Sequence, residues 1–196
     1  EILIYHTHTT EAFQGETRTQ DNSRNVVAVG DEIEKKLKAA GYGVVHDTTC
    51  HDYPSYNGSY DRSGETIQRN LEKYPGIQVT LDIHRDALGS SDNRIKPTVV
   101  INGKKAAQIM VVSGCDDNGQ LGFPDWEYNL RLAVRIQRSV SDLYPTLARP
   151  LHFCPKKYNE HMTRGSLLVE FGTDGSTLEE VLYSGELFGN ALDNAI

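Results

Sequence analysis

Ile2-Leu3-Ile4-Tyr5-His6-Thr7-His8-Thr9-Thr10-Glu11 decides how this chain is read. Four β-prone apolar residues carry two histidines and a carboxylate to the point where a strand ends. In open α/β sheets, ligands collect beyond that end of the strands. His8 and Glu11 are three residues apart, so a single turn aims both side chains at one ion. Histidine and glutamate are ligand types of catalytic zinc, which takes three protein ligands and keeps a fourth position open. His6 alternates with His8 along the strand and is the rival for the same ligand place.

Two later segments supply the rest of such a site. Val79-Thr80-Leu81-Asp82-Ile83-His84-Arg85-Asp86 is a second buried-type strand, with His84 at its C-terminal edge. Ser166-Leu167-Leu168-Val169-Glu170-Phe171-Gly172 is a third, and it encloses a lone carboxylate. Burying an unpaired carboxylate is costly. Glu170 is therefore expected to have a partner, a raised pKa or a cleft to face. The inventory suits a zinc hydrolase with His8, Glu11 and His84 as ligands and Glu170 as general base. Asp21, just ahead of a helix beside the site, is the alternative to Glu11. Arg85 has two readings: a forked clamp on a substrate carboxylate, or a structural pair with Asp82 or Asp86. Either aspartate could orient a ligand imidazole. Tyr53, Tyr56 and Tyr60 read as a stacking surface or as local packing. His46, His51, His152 and His161 read as ordinary polar residues.

With 196 residues, 38% hydrophobic and 24% charged, one domain over 1–196 is expected. The net charge of -7 and the lack of a basic run argue against nucleic acid as partner. No apolar run is long enough to span a membrane. The chain starts inside a strand at Glu1-Ile2, so an anchor or export signal ahead of it is expected. Cys50, Cys115 and Cys154 are odd in number and lack CxxC spacing, so they read as free thiols.

Helical spacing of Val26, Val27, Val29, Ile33 and Leu37 predicts a helix over 25–40, closed at Gly41. A strand over 43–46, a helix over 61–74 and the His84 strand follow. Asn102-Gly103 between two β-type runs predicts a hairpin over 98–112. A helix over 126–144, with Leu130, Val134, Ile136 and Val140 inward, leads to a short strand near 151–153. The Glu170 strand and a final helix from about 176 close the chain. Polar loops 14–24, 87–97 and 113–124 are expected to wall the site. The alternation of strands and helices predicts an α/β fold: a mixed, mainly parallel sheet flanked by helices, with a β-hairpin insertion.

The segments IYHTHTTEAF, NVVAVGDEIEKKLKAAGYGVVHD, SYNGSYDRSGETI, LDIHRDA, YNEHMTRGSLLVEFG and the TLEEVL helix resemble the stage II sporulation protein P family. They span nearly the whole chain in the family's order. The resemblance implies kinship to zinc-dependent N-acetylmuramoyl-L-alanine amidases, an amidase-like (phosphorylase/hydrolase-like) sheet and a Zn2+ cofactor. It places the first ligand on His8, the mid-chain ligand on His84 and the late-strand base on Glu170. It further implies cleavage of peptidoglycan between glycan and stem peptide, with an added endopeptidase activity on crosslinks. Its other implications are a membrane-anchored, extracytoplasmic protein acting in forespore engulfment, and stage II sporulation proteins D and M as partners. Two other readings compete: a zinc carboxypeptidase or amidohydrolase of small substrates, and a non-catalytic wall-binding module.

Overall fold

β1 (Ile2–Tyr5) is buried on both faces. Ile2 and Ile4 enter the main core, while Leu3 and Tyr5 enter a smaller one with Ile67 and Ile77. This two-sided burial is what an unbroken apolar run means in a parallel sheet. The computed structural model describes residues Glu1–Ile196. After β1 come α1 (Val26–Ala39), β2 (Val44–His46), α2 (Ser59–Lys73) and β3 (Val79–Asp86). Two small hairpins follow, β4 (Gly89–Ser90) with β5 (Asn93–Arg94) and β6 (Thr98–Ile101) with β7 (Lys104–Ala107). The chain continues through β8 (Ile109–Gly114), α3 (Trp126–Leu143), β9 (His152–Cys154), a 3-10 turn at Glu160–Met162, β10 (Ser166–Thr173) and α4 (Leu178–Asp193).

The main sheet has the order β2-β1-β3-β10-β8-β9. β1, β2, β3 and β10 run parallel, and β8 pairs antiparallel to β10. The fold is thus the expected mixed, mainly parallel sheet, with the hairpin at Asn102-Gly103, both at positive φ. The second arm breaks at Gln108: β7 packs on α4, whereas β8 enters the main sheet.

The helices are shared unequally between the two faces. α1, α3 and α4 contribute Val29, Ile33, Leu132, Ile136, Val140, Val181 and Phe188 to one core with Leu81, Ile83, Leu167 and Val169 of the sheet. α2 covers the other face beside β1, through Ile67. By strand alternation, Asp82, His84, Leu168 and Glu170 point to this less covered face. Asn25 caps α1 by accepting the Val27 N–H, and all five predicted apolar positions are buried. α3 corrects its predicted inner face: Val134 is exposed, and Leu132 and Ala133 are buried instead. The helix docks one step around from the stripe that its branched residues suggest. No helix is long and apolar enough to cross a membrane.

Candidate metal centre and catalytic site

His6 to Thr10 form a tight turn because side chains hold it from three sides. The Glu11 N–H donates to the His8 carbonyl at 3.0 Å. Thr9 Oγ1 and His51 Nδ1 both donate to the His6 carbonyl, at 2.8 and 2.7 Å. Asp52 accepts from the Thr10 N–H and hydroxyl. On the far side Asp82 accepts from the Thr7 N–H at 2.8 Å and the Thr7 hydroxyl at 2.6 Å. A turn over-determined in this way fixes where His8 and Glu11 point.

They point at His84. His8 Nδ1 lies 3.4 Å from Glu11 Oε1, and His84 Nδ1 lies 3.4 Å from Glu11 Oε2. One donor atom from each of the three residues falls within 4.8 Å of the others, and all three residues are buried. His84 Nε2 faces Asp82 Oδ1 at 2.9 Å. The contact is a close charge pair without hydrogen-bond geometry, and it turns Nδ1 toward Glu11. Glu11 is steadied by the Arg85 N–H, which donates to Oε2 at 3.1 Å. The donor set fits zinc in number and type. One aspartate therefore anchors the turn that carries His8 and lies against the ring of His84.

The electrostatics are those of a cation site. Burial alone raises the Glu11 carboxyl, but hydrogen bonds from His8 and His84 and the charge of Arg85 outweigh it, holding it well below the usual carboxylate range. Burial likewise pulls His84 down, and Asp82 and Glu11 more than offset it, so the imidazole sits well above its ordinary value. Glu170 is the register partner of His84 on the adjoining strand. Its Oε2 is buried with no hydrogen-bond partner. Burial pushes this carboxyl up to about 8, opposed by His84 and assisted by Glu11, Asp86 and Asp82. A cavity of about 250 Å³ joins these groups, lined by His8, Glu11, His84 and Glu170 with Tyr60 and Tyr158 among its walls.

A family model described as Stage II sporulation protein P (SpoIIP) matches residues 1–193. The chain belongs to the SpoIIP family. The stage II sporulation protein P of Bacillus subtilis (strain 168) is 29% identical over 92% of this chain and 47% of that relative. The chain therefore spans about half the length of the curated relative it matches. Among solved structures it is similar to the CwlD amidase of Clostridioides difficile, in complex with the GerS lipoprotein, with a TM-score of 0.60 and 12% identity over 100% of this chain and 95% of that one. It is also similar to the N-acetylmuramoyl-L-alanine amidase AmiC2 of Nostoc punctiforme, with a TM-score of 0.59 and 13% identity over 100% and 93%. At such identity the likeness is one of fold: this SpoIIP chain has the amidase-like sheet.

The remaining candidates fall outside the cluster. His6 turns to the opposite side, where Nδ1 donates to the Ile83 carbonyl at 3.1 Å and Nε2 meets His46 Nε2 at 2.8 Å. Asp21 is exposed and bonds Ser23. Arg85, expected either to clamp a substrate carboxylate or to pair with an aspartate, is tied to backbone. Its guanidinium donates to the carbonyls of Ala12 and Thr17, both at 2.9 Å, and does not line the cavity. A buried guanidinium takes the nearest carbonyls, and the 12–17 loop supplies them. Asp86 pairs with Arg149. Loops 14–24, 87–97 and 113–124 line neither this cavity nor the groove beside it. Sequence reasoning missed Tyr158, His51 and Asp52. His51 and Asp52 carried one usable signal, as polar residues clustered just after a strand end at 44–46.

Proposed function

We propose that this chain is the catalytic unit of a zinc-dependent peptidoglycan hydrolase. It cuts the amide joining N-acetylmuramic acid to the first stem residue, and the same site serves amide crosslinks between stems. The observation that carries this reading is one cavity that joins His8, Glu11 and His84 to the unpartnered carboxyl of Glu170. Zinc held by those three residues would polarise a scissile carbonyl and lower the pKa of nearby water. Glu170, desolvated and facing the same cavity, takes the water proton on its carboxylate and returns it to the leaving amine. Proton transfer of this kind contributes roughly 10²–10⁴ in rate. A carboxyl poised near neutrality by burial suits both halves of that task. Asp82, 2.9 Å from His84 Nε2, favours the charged imidazole beside the cavity. Tyr56 stacks on His8 with centroids 4.5 Å apart and Tyr60 meets it edge-on at 5.5 Å, which limits how the ring turns.

The shape supports a polymer substrate. Tyr60 and Tyr158 are shared with an open groove of about 620 Å³, lined also by Lys156, Lys157 and His161. Such a groove suits a chain with carboxylated stems better than a small acyl amino acid, and Arg85 is not free to clamp one. Two carboxylates flanking a bond without metal, as glycoside hydrolysis requires, are a poorer description of this donor set. Membrane anchoring, an extracytoplasmic site at the sporulation septum, action in engulfment and partnership with stage II sporulation proteins D and M belong to the whole protein and are part of this proposal. The test is Glu170→Gln. The variant should retain zinc and lose at least about 10²-fold of wall-cleaving rate in a dye-release assay. Unchanged cleavage by the zinc-loaded variant would remove Glu170 from the reaction.

A further inference from the structure

Across the sheet edge from the catalytic cavity lies a second cluster whose chemistry the amidase reading does not use. His46 of β2 sits under α1 with its side chain only 3% exposed. Its Nε2 meets Nε2 of His6 at 2.8 Å. The proton positions along this pair follow from the partners. The Ile83 carbonyl can only accept, so His6 carries its proton on Nδ1. His6 is fully buried with no carboxylate beside it, so a second proton there would leave an uncompensated buried charge. His6 Nε2 is then a lone pair, and His46 Nε2–H must be the donor. That leaves His46 Nδ1 as the outward-facing atom.

This nitrogen lies 3.2 Å from Asp31 Oδ1 and 3.4 Å from Glu34 Oε2, and neither contact has hydrogen-bond geometry. The other Glu34 oxygen is already taken by Lys38 Nζ at 2.6 Å. One atom from each of Asp31, Glu34 and His46 lies within 4.8 Å of the others. One imidazole nitrogen and two carboxylate oxygens gathered this closely suit a cation between them. The ring is also held in place for it. A side chain at Gly30 would put its Cβ 2.6 Å from His46 Nε2, so glycine there lets α1 close onto the imidazole.

We propose that Asp31, Glu34 and His46 form a second divalent-cation site, distinct from the catalytic one and open to solvent. One imidazole and two carboxylates suit a borderline ion such as zinc. The bonded nitrogen of His46 is fixed by His6 as a ligand ring is fixed by an outer partner. The site's role is bracing: an ion there ties α1 to β2 and, through His6, to the Ile83 carbonyl beside the ligand His84.

The test is a Zn2+ titration of the untagged chain, read by calorimetry and by native mass spectrometry. The wild type should bind two ions, D31N/E34Q one, and His84→Ala one. D31N/E34Q should keep its wall-cleaving activity and lose several degrees of the zinc-dependent rise in Tm. Should His84→Ala fail to fold, the comparison of wild type with D31N/E34Q decides alone. A single ion in the wild type, or two ions in D31N/E34Q, would overturn the site. The former would mean that a proton on His46 Nδ1 satisfies the carboxylates.

Discussion

Glu11 accepts from the Arg85 N–H and lies 3.4 Å from Nδ1 of both His8 and His84, and His84 stands between two carboxylates. In the ion-free chain the imidazolium of His84 is the cation that this acidic pocket requires. Its raised pKa means that the charged form persists above the usual histidine range. A zinc ion needs Nδ1 free of its proton, so binding must release one. Zinc affinity should therefore rise with pH through and above about 6.5, the unperturbed histidine value. The same shift sets the sign for stability. A raised histidine pKa stabilises the ion-free fold below the unfolded value and ceases to do so as pH climbs through the folded one. Calorimetry in buffers of different ionisation enthalpy at pH 6.5 measures the effect. Release of close to one proton per catalytic ion is expected, and zero release would contradict the assignment of His84.

At the scale of elements, α1 shows what a close approach costs. Alanine is normally better than glycine inside a helix, by up to about 1 kcal/mol. At Gly30 the added Cβ would meet His46 Nε2 at 2.6 Å and His6 Cε1 at 3.0 Å, both on buried, hydrogen-bonded rings. Overpacking of this kind costs roughly 1–3 kcal/mol, so the clash wins. Gly30→Ala should lower the free energy of unfolding in urea by about that amount, and an unchanged or higher midpoint would refute the packing. What sequence could show follows the same logic. The α1 stripe was legible because five apolar residues share one side, and Asn102-Gly103 because its positive-φ demand is local. The candidate site was legible because His8 and Glu11 stand three apart just past a strand end and a lone Glu170 stands out in an apolar strand. Which of the two histidines faced the pocket depended on long-range partners, His46 and Ile83. The partners of Arg85 were not legible for a similar reason: the carbonyls that take its guanidinium come from residues 68 and 73 positions away. The inner face of α3 depended on docking angle, which a helical repeat does not encode.

In the whole molecule, three helices seal one face of the sheet, while α2 shelters only part of the other. His8, Glu11, His84 and Glu170 occupy the uncovered part, near the C-terminal ends of β1 and β3, where crossover topology leads one to expect a site. Beneath it Glu160 is 1% exposed, accepts the Gly114 N–H at 2.7 Å, and leaves Oε1 without a partner. Burial holds its carboxyl well above the usual range. The unfolded chain thus ionises first, and stability falls as pH rises above about 4.3, the ordinary glutamate value. Glu160→Gln removes that ionisation, so its Tm should exceed the wild type's increasingly from pH 4.5 to 7; a constant difference would show that Glu160 does not titrate in this way. The central claim concerns chemistry, and one measurement reaches it most directly. Purified peptidoglycan is incubated with the zinc-loaded chain, and the released material is read by mass spectrometry. Free stem peptides with a new amino terminus at their first residue, beside glycan strands stripped of peptide, are the expected products. Glycan strands that keep their peptides, or new reducing ends as the only change, would contradict it.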